Sequence, residues 1–446
     1  MSQPIISVSG LRGIIGHSLT PVTVTSYVAA FASQLDRGPV VVTRDGRASG
    51  GMMAAAVEAT LTACGCDVLY GDVAATPTTG VLVRELGAAG GVQISASHNP
   101  PEYNGIKLFG SDGRVIPAEF GQRVIEAMSQ PAAWVAVSQL GRRSLIADPL
   151  ARHLQLVLDT VDVEAIRRRG FRVVLDSNHG AGSLLGRELL QALGTEFVLL
   201  GDQPDGQFAH PPEPTADNLR SVSAAATAHN ADVMFCQDPD ADRLAIVASD
   251  GTCIGEEYTL AITLNNRLAK QPGDCVVNCA TSRMAMDIAS RYGATCHLSA
   301  VGEAHVCDRM NEVGAVYGGE GNGGPIDPRV GMVRDSFVGM AQVLEALAES
   351  AQSVHELVNG LPEYAIHKTR SQVQGTCMPA IIEALKQVFA DAEVSQLDGL
   401  RLDWPRQWLL VRPSNTEPIV RIIAEAETGS AALELTHQAA AVISRL

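Results

Sequence analysis

Asp238, Asp240 and Asp242 stand at alternate positions of Asp238-Pro239-Asp240-Ala241-Asp242-Arg243, one residue after the apolar run 233–236. Carboxylates this close repel one another unless a cation lies among them. An all-oxygen donor set suits a hard divalent ion such as Mg²⁺ or Ca²⁺. An EF-hand would need Gly and Glu at its sixth and twelfth positions, where this chain has Arg243 and Ser249, so that reading fails. A solvated acidic turn is the plain alternative. Three protein carboxylates leave a Mg²⁺ shell incomplete, and a phosphate or phosphorylated side chain commonly supplies a further oxygen. Ser97, in Ser95-Ala96-Ser97-His98-Asn99-Pro100-Pro101, is the candidate for that side chain. A hydroxyl at a strand end can act as a nucleophile or carry a phosphoryl group, and it can equally be an ordinary turn serine. His98 reads either as a base beside Ser97 or as a packed ring. Lys107, between Ile106 and Leu108, should face opposite to them, toward a site or toward solvent.

Three further loops carry polar groups in useful patterns. Gly319-Glu320-Gly321-Asn322-Gly323-Gly324 satisfies a G-x-G-x-x-G spacing, but Pro325 and Pro328 follow where a dinucleotide fold needs a helix. Glu320 would repel a pyrophosphate; with Asn322 it suits the hydroxyls of a polyol or sugar. Arg412-Pro413-Ser414-Asn415-Thr416-Glu417-Pro418 joins a cation, two hydroxyls and backbone N–H groups at a tight turn, as a phosphate nest does, and Arg421 follows on the next strand. A plain hairpin turn is the alternative. Ser9-Gly10-Leu11-Arg12-Gly13 is Gly-rich without the G-K-[ST] of a P-loop, which leaves Arg12 as a candidate phosphate clamp or a loop arginine.

The elements around these loops alternate. Short β-branched runs (39–50, 172–182, 274–282) end in Gly-rich turns and lead into helical stretches (52–63, 184–193, 284–291). Continuous apolar runs of this kind are buried parallel strands, and the alternation is that of an α/β protein. GIKLFGSDGRVI (105–116) lines up with RLAIVASDGTCI (243–254), each a strand, a Ser-Asp-Gly turn and a return strand. The echo indicates duplicated domains, each offering a loop at the carboxyl edge of its sheet. After about residue 365 apolar and polar residues alternate over 397–426 and a helix closes the chain, the pattern of an antiparallel α+β domain. The expected division is 1–150, 151–254, 255–364 and 365–446.

Charge and composition exclude other classes. A net charge of −16 is wrong for binding nucleic acid through clustered Lys and Arg, and 4% aromatics give no stacking platform. Nine cysteines without a C-x-x-C pair show no zinc pattern. The start, MSQPIISVSG, has neither the basic nor the apolar region of a signal peptide, and no apolar run reaches the ~18 residues of a membrane helix. A reduced, cytoplasmic protein without a membrane partner is expected.

The four loops, in this order, resemble those of the α-D-phosphohexomutase superfamily over essentially the whole chain. SASHNP is similar to its phosphoserine loop, DPDADR to its metal loop, GEGNGG to its sugar loop and RPSNTEP to its phosphate loop. The resemblance implies three similar mixed α/β domains plus a C-terminal α+β domain around a central cleft. It implies that Ser97 carries a phosphoryl group, gives it to a hexose monophosphate, and regains a phosphoryl group from the resulting 1,6-bisphosphate. Mg²⁺ would sit on Ser97, Asp238, Asp240 and Asp242; Arg12, Lys107, His98 and Arg243 would serve the transfer. Glu320 and Asn322 would hold sugar hydroxyls, and Arg412, Ser414, Asn415, Thr416 and Arg421 the other phosphate. A hexose 1,6-bisphosphate would be the activator, and the chain a monomer or homodimer acting on a small sugar phosphate. ISASHNP and SGLRGIIG are closest to phosphoglucosamine mutases, with phosphoglucose or phosphomannose chemistry as the alternative. Many relatives read GEMSGH or GEQSGH in the sugar loop; here Asn322 replaces Ser and Gly324 replaces a His that is a candidate base, leaving Lys107, His98 or Arg12 for that task. A serine-dependent sugar phosphatase and a non-catalytic sugar-phosphate-binding protein are the readings from other classes.

Overall fold

A computed structural model describes residues 4–7, 10–36, 38–372, 378–413 and 419–446. The chain forms two units, Met1–Asn266 with Asn322–Val358, and Arg267–Gly321 with Asn359–Leu446.

The first unit holds two sheets. One contains Ile5–Ser7 (β1), Gly10–Ile14 (β2), Val40–Arg44 (β3), Val68–Val73 (β4), Gly90–Ile94 (β5), Tyr103–Gly110 (β6) and Arg143–Leu145 (β7), in the order β1-β2-β6-β5-β3-β4-β7. β3 pairs in parallel with both β4 and β5, while β6 runs antiparallel to β5. Helices cover both faces of β3, which explains its unbroken apolar run. Val40 and Val42 join the core beneath helices Pro21–Ala32 and Gly50–Ala63, and Val41 joins Leu82 and Val83 of helix Thr76–Glu85 on the other side. The second sheet contains Arg172–Asp176 (β8), Glu196–Leu200 (β9), Val233–Gln237 (β10) and Leu244–Ala248 (β11), in the order β11-β10-β8-β9. Its pairings, one antiparallel and then two parallel, repeat those of β6-β5-β3-β4.

The sequence echo is thus a structural repeat. After β6 a single bridge joins Phe109 to Val115, and after β11 one joins Val247 to Cys253. In both turns an aspartate accepts from a nearby backbone N–H, Asp112 from Arg114 and Asp250 from Thr252, and the glycine is left-handed (Gly113 φ +74°, Gly251 φ +88°). The expected return strands are shorter than anticipated, one bridge each, because the chain leaves at once toward the next helix.

Helix Ser336–Ser350 is buried through most of its length within this unit. Asp335 caps it by accepting from Phe337 N and Val338 N, and is itself held by His153 Nε2 at 2.7 Å. Short strand Gly324–Ile326 precedes it.

In the second unit Cys275–Asn278 (β12) lies between Cys296–Ser299 (β13) and Tyr317–Glu320 (β14), all parallel. With Gly324–Ile326 as β15, the remaining strands are Ala365–Gln372 (β16), Glu393–Ser395 (β17), Leu400–Trp404 (β18), Gln407–Pro413 (β19) and Ile419–Ala426 (β20). They form an antiparallel sheet, β16-β20-β19-β18-β17. β19 departs from simple alternation because both of its faces are covered. Leu409 and Val411 pack against helices Met378–Val388 and Gly429–Ile443, while Trp408 and Leu410 pack on Cys279. Among the described residues no helix is long and apolar enough to cross a membrane.

Candidate active site

Ser97 follows β5 in a turn that the sequence alone does not explain. Its φ is +49°, a left-handed conformation that a non-glycine residue adopts only under constraint. The constraint is Arg47. Its guanidinium donates to the carbonyls of Ser97 and Asn99 (both 2.6 Å), Pro100 (2.6 Å) and Tyr103 (2.9 Å), drawing the loop around one buried fork. Asp45 orients the fork through Arg47 Nε (3.1 Å) and also accepts from Ser95 Oγ (2.6 Å), which in turn accepts from Ser97 N. Phe208 lies under the guanidinium, 5.0 Å from ring centre to Cζ. Gly105 completes the turn, since a Cβ there would meet the carbonyls of Leu11 and Ser95.

The three aspartates follow β10, and Ala241 among them is left-handed too (φ +56°). All three are fully buried, with donor atoms within 4.8 Å of one another. Asp238 Oδ1 accepts from Asp242 N and Arg243 N, and its Oδ2 accepts from Ser97 Oγ at 3.0 Å. Asp240 Oδ2 accepts from Lys107 Nζ (2.5 Å) and Thr76 Oγ1, and Asp242 Oδ2 from Lys107 Nζ (3.0 Å) and Arg334 Nη2 (2.6 Å). The other oxygens, Asp240 Oδ1 and Asp242 Oδ1, are buried without a hydrogen-bond partner. Buried carboxylate oxygens left bare in this way, beside a third carboxylate and a serine hydroxyl, fit a metal ion.

Charge explains the state of each group. Burial pushes the Asp238 carboxyl well above its ordinary range, with Asp242 and Asp240 adding to the rise. Burial acts the same way on Asp240 and Asp242, but Lys107 outweighs it at the first and Arg334, Lys107 and Arg243 at the second, so both stay below the ordinary range. Burial alone would lower Lys107, yet Asp240 and Asp242 raise it, which keeps it an ammonium. Burial lowers Arg12. It also takes His98 down to about 3, with Arg243 and Arg12 contributing, so that ring is neutral near pH 7. Of the three candidate bases, His98 alone is an uncharged acceptor in this environment, and its Nδ1 lies 3.4 Å from Ser97 Oγ. Arg12 reaches Asn99 Oδ1 at 3.2 Å, and Arg243 reaches Glu213 at 3.3 Å.

The first unit therefore brings together Ser97, His98, Lys107, Arg12, Arg243 and the aspartate triad. Asn322 belongs to this unit as well. Asp45, Arg47, Thr76, Glu213 and Arg334 complete the site and were not singled out in the sequence. Gly324 has a physical reason here, since a Cβ at that position would overlap the stem of Arg334.

The second unit carries Glu320, Arg412 and Arg421. Glu320 Oε1 accepts from Asn278 Nδ2 (2.7 Å) and Gly302 N (3.1 Å). Arg412 Nε pairs with Asp398 Oδ2 (3.0 Å), which also accepts from Val301 N. Two consecutive backbone donors thus tie the sugar-loop glutamate to the arginine's carboxylate partner. Ser414, Asn415 and Thr416 lie outside the described residues.

Four domain descriptions of one family match in order: phosphoglucomutase/phosphomannomutase alpha/beta/alpha domain I over residues 4–133, domain II over 151–251, domain III over 256–364 and the C-terminal domain over 369–442. The chain belongs to the phosphoglucomutase/phosphomannomutase family. It is 33% identical over 441 residues to a probable phosphoglucosamine mutase of Methanopyrus kandleri, covering 98% of this chain and 97% of the relative. It is 35% identical over 439 residues to a phosphoglucomutase/phosphomannomutase of Thermococcus kodakarensis, covering 95% of each. A solved family protein from Burkholderia thailandensis is 27% identical, with a TM-score of 0.86 over 99% of this chain and 97% of that one. The chain is an isomerase of the α-D-phosphohexomutase superfamily, and its buried acidic cluster fits a metal ion.

Proposed function

We propose that this phosphohexomutase interconverts glucosamine 6-phosphate and glucosamine 1-phosphate through a phosphoserine at Ser97 and a 1,6-bisphosphate. The observation that carries this reading is the buried contact of Ser97 Oγ with Asp238, beside two carboxylate oxygens that lack partners. In the first half-reaction a sugar hydroxyl attacks phosphorus, the Ser97 Oγ–P bond breaks and the hydroxyl proton leaves to a base, with His98 the neutral acceptor nearest Ser97 in this set. The second half-reaction reverses these roles at the sugar's other phosphate. Such transfers depend on positioning and charge neutralisation. Arg47 fixes the Ser97 loop. Arg12, Lys107 and Arg243 steady the transferring oxygens. Glu320 and Asn322 hold sugar hydroxyls; Arg412 and Arg421, with Ser414, Asn415 and Thr416, hold the phosphate that is not reacting. Asp238, Asp240, Asp242 and Ser97 would hold Mg²⁺, which supplies charge neutralisation at the transferring phosphoryl group when bound.

Each of the four domain matches falls inside one segment of the division 1–150, 151–254, 255–364 and 365–446, which supports that division. A 1,6-bisphosphate as activator, a monomeric or homodimeric state and the absence of a nucleic-acid partner belong to the same reading, the last supported by the net charge of −16. None of the eight described cysteines is in a disulfide, which supports a reducing cytoplasm. Glucose or mannose phosphate is the second reading, favoured by the name of the Thermococcus relative.

Intact mass and peptide mapping, before and after incubation with glucose 1,6-bisphosphate or glucosamine 1,6-bisphosphate and Mg²⁺, test the reading. One stable added phosphoryl group at Ser97 is expected. No phosphorylation with either compound would refute the phosphoserine cycle. A panel of hexosamine and hexose 1-phosphates then ranks the substrates.

A further inference from the structure

Arg370, Arg421 and Arg412 stand abreast on three neighbouring strands of the second unit. In the antiparallel register Arg370 of β16 is opposite Arg421 of β20, and Arg421 is opposite Arg412 of β19. Directly opposed residues share a face, and like charges placed so destabilise the pair. The face is the one that carries Trp408, Leu410 and Ile423 against Cys279, because Arg412 and Arg421 alternate in step with those residues. The row extends that face to a place where Arg370 and Arg421 are exposed.

Among the described residues one carboxylate reaches the row, Asp398, which pairs with Arg412 Nε and accepts from Val301 N. Among the described residues neither Arg370 nor Arg421 has a carboxylate partner. Three guanidinium groups and one carboxylate sum to 3 − 1 = +2, in a chain whose net charge is −16. A phosphate monoester carries close to the matching charge, about −2 near neutral pH. Strands lie about 4.8 Å apart, so the outer backbones are separated by roughly 10 Å, a span that arginine side chains can close around one anion.

We propose that Arg370 is the third arm of this anion seat and grips the dianionic phosphate of the sugar that is not reacting at Ser97. The inference rests on the reading of Arg412 and Arg421 as phosphate ligands. It makes the seat a row across three strands, and it gives the opposed charges a purpose, since a bound dianion turns their repulsion into attraction. No pattern around Arg370 announced this; only the register of β16 against β20 brings it to Arg421.

Arg370→Gln tests it in the full chain, with Arg421→Gln as the reference. Thermal midpoints are measured at low ionic strength, with inorganic phosphate and with sodium chloride of equal ionic strength, alongside steady-state kinetics on a sugar 1-phosphate. Without phosphate, R370Q should melt at or above the wild type because one opposed charge is gone. With phosphate it should gain less than the wild type, and its KM should rise by about 10-fold or more, the worth of a charge-assisted hydrogen bond. Arg370→Lys should recover part of the KM. An unchanged KM and phosphate response in R370Q, with both altered in R421Q, would overturn the role of Arg370 alone. Unchanged behaviour in both variants would instead overturn the phosphate-binding reading of this sheet.

Discussion

Ser97 and the aspartates of the first unit are at most 1% exposed, while Arg370 and Arg421 of the second stand in solvent. The serine and metal loops are strained and tightly held. Two non-glycine residues sit at positive φ, and buried donors hold one oxygen of both Asp240 and Asp242 while leaving the other bare. The arginine row follows regular strand geometry, and among the described residues only Arg412 of the three has a carboxylate partner. Phosphoryl transfer needs atoms fixed before the reaction, so strain and burial belong at the reacting end. Recognition of a mobile anion needs charge that water can reach before the ligand arrives. The contrast supports the proposal that catalysis belongs to the first unit and distal phosphate recognition to the second.

Removing the acceptor should have the largest effect. Ser97→Ala should reduce turnover to background and abolish the added phosphoryl mass in the peptide that carries residue 97. Arg47→Met comes next. Releasing the loop should lower kcat by about 100-fold, the scale of a misplacement near 1 Å, while KM for the sugar phosphate holds. Steady-state kinetics decide this; a rise in KM alone would remove Arg47 from the reacting end. Thr76→Val should then weaken divalent metal binding about 10–100-fold, as loss of a hydrogen-bond partner to a ligating carboxylate does. Calorimetric titration with Mg²⁺ measures it, and wild-type affinity would show that Thr76 does not hold Asp240 for the ion. Arg421→Gln should raise KM by about 10-fold and leave kcat in place.

The smallest expected effect concerns the ground beneath Arg47. His210 donates from Nε2 to Asp176 (2.8 Å) and from Nδ1 to the Pro211 carbonyl (2.9 Å), and lies close in sequence to Phe208. Burial lowers its pKa, but Asp176 and Pro211 outweigh that and raise it above the ordinary value. A raised folded pKa gives stability that is fully present below the unfolded pKa and is lost as pH rises through the folded one. The difference in thermal midpoint between the wild type and His210→Gln should therefore be largest below about pH 6.5 and fade above it. A difference that is constant with pH would mean the ring acts by packing alone.

The residues that the first unit gathers at its candidate site were largely legible in the sequence because their spacing is local. The Asp238, Asp240 and Asp242 spacing, the serine after β5 and the lysine opposite to Ile106 and Leu108 are each read within one element. The residues that escaped notice act from elsewhere in the chain. Arg47 organises carbonyls fifty or more positions downstream, Thr76 reaches Asp240 from the start of a helix, and Arg334 occupies the space left by Gly324. Strand alternation described the last sheet only partly, because β19 buries Trp408 on one face and Leu409 on the other. The Ser-Asp-Gly echo, by contrast, foretold a repeat that extends to the bridges Phe109 to Val115 and Val247 to Cys253.

Rapid-quench measurement of Ser97 phosphorylation by glucose 1,6-bisphosphate, in the wild type, Arg47→Met and Arg421→Gln, tests the division of labour most directly. The Arg47 variant should lower the maximal rate at an unchanged half-saturating concentration. The Arg421 variant should raise the half-saturating concentration at an unchanged maximal rate. Both parameters moving together in both variants, or the two effects exchanged, would contradict the assignment of catalysis to one unit and phosphate recognition to the other.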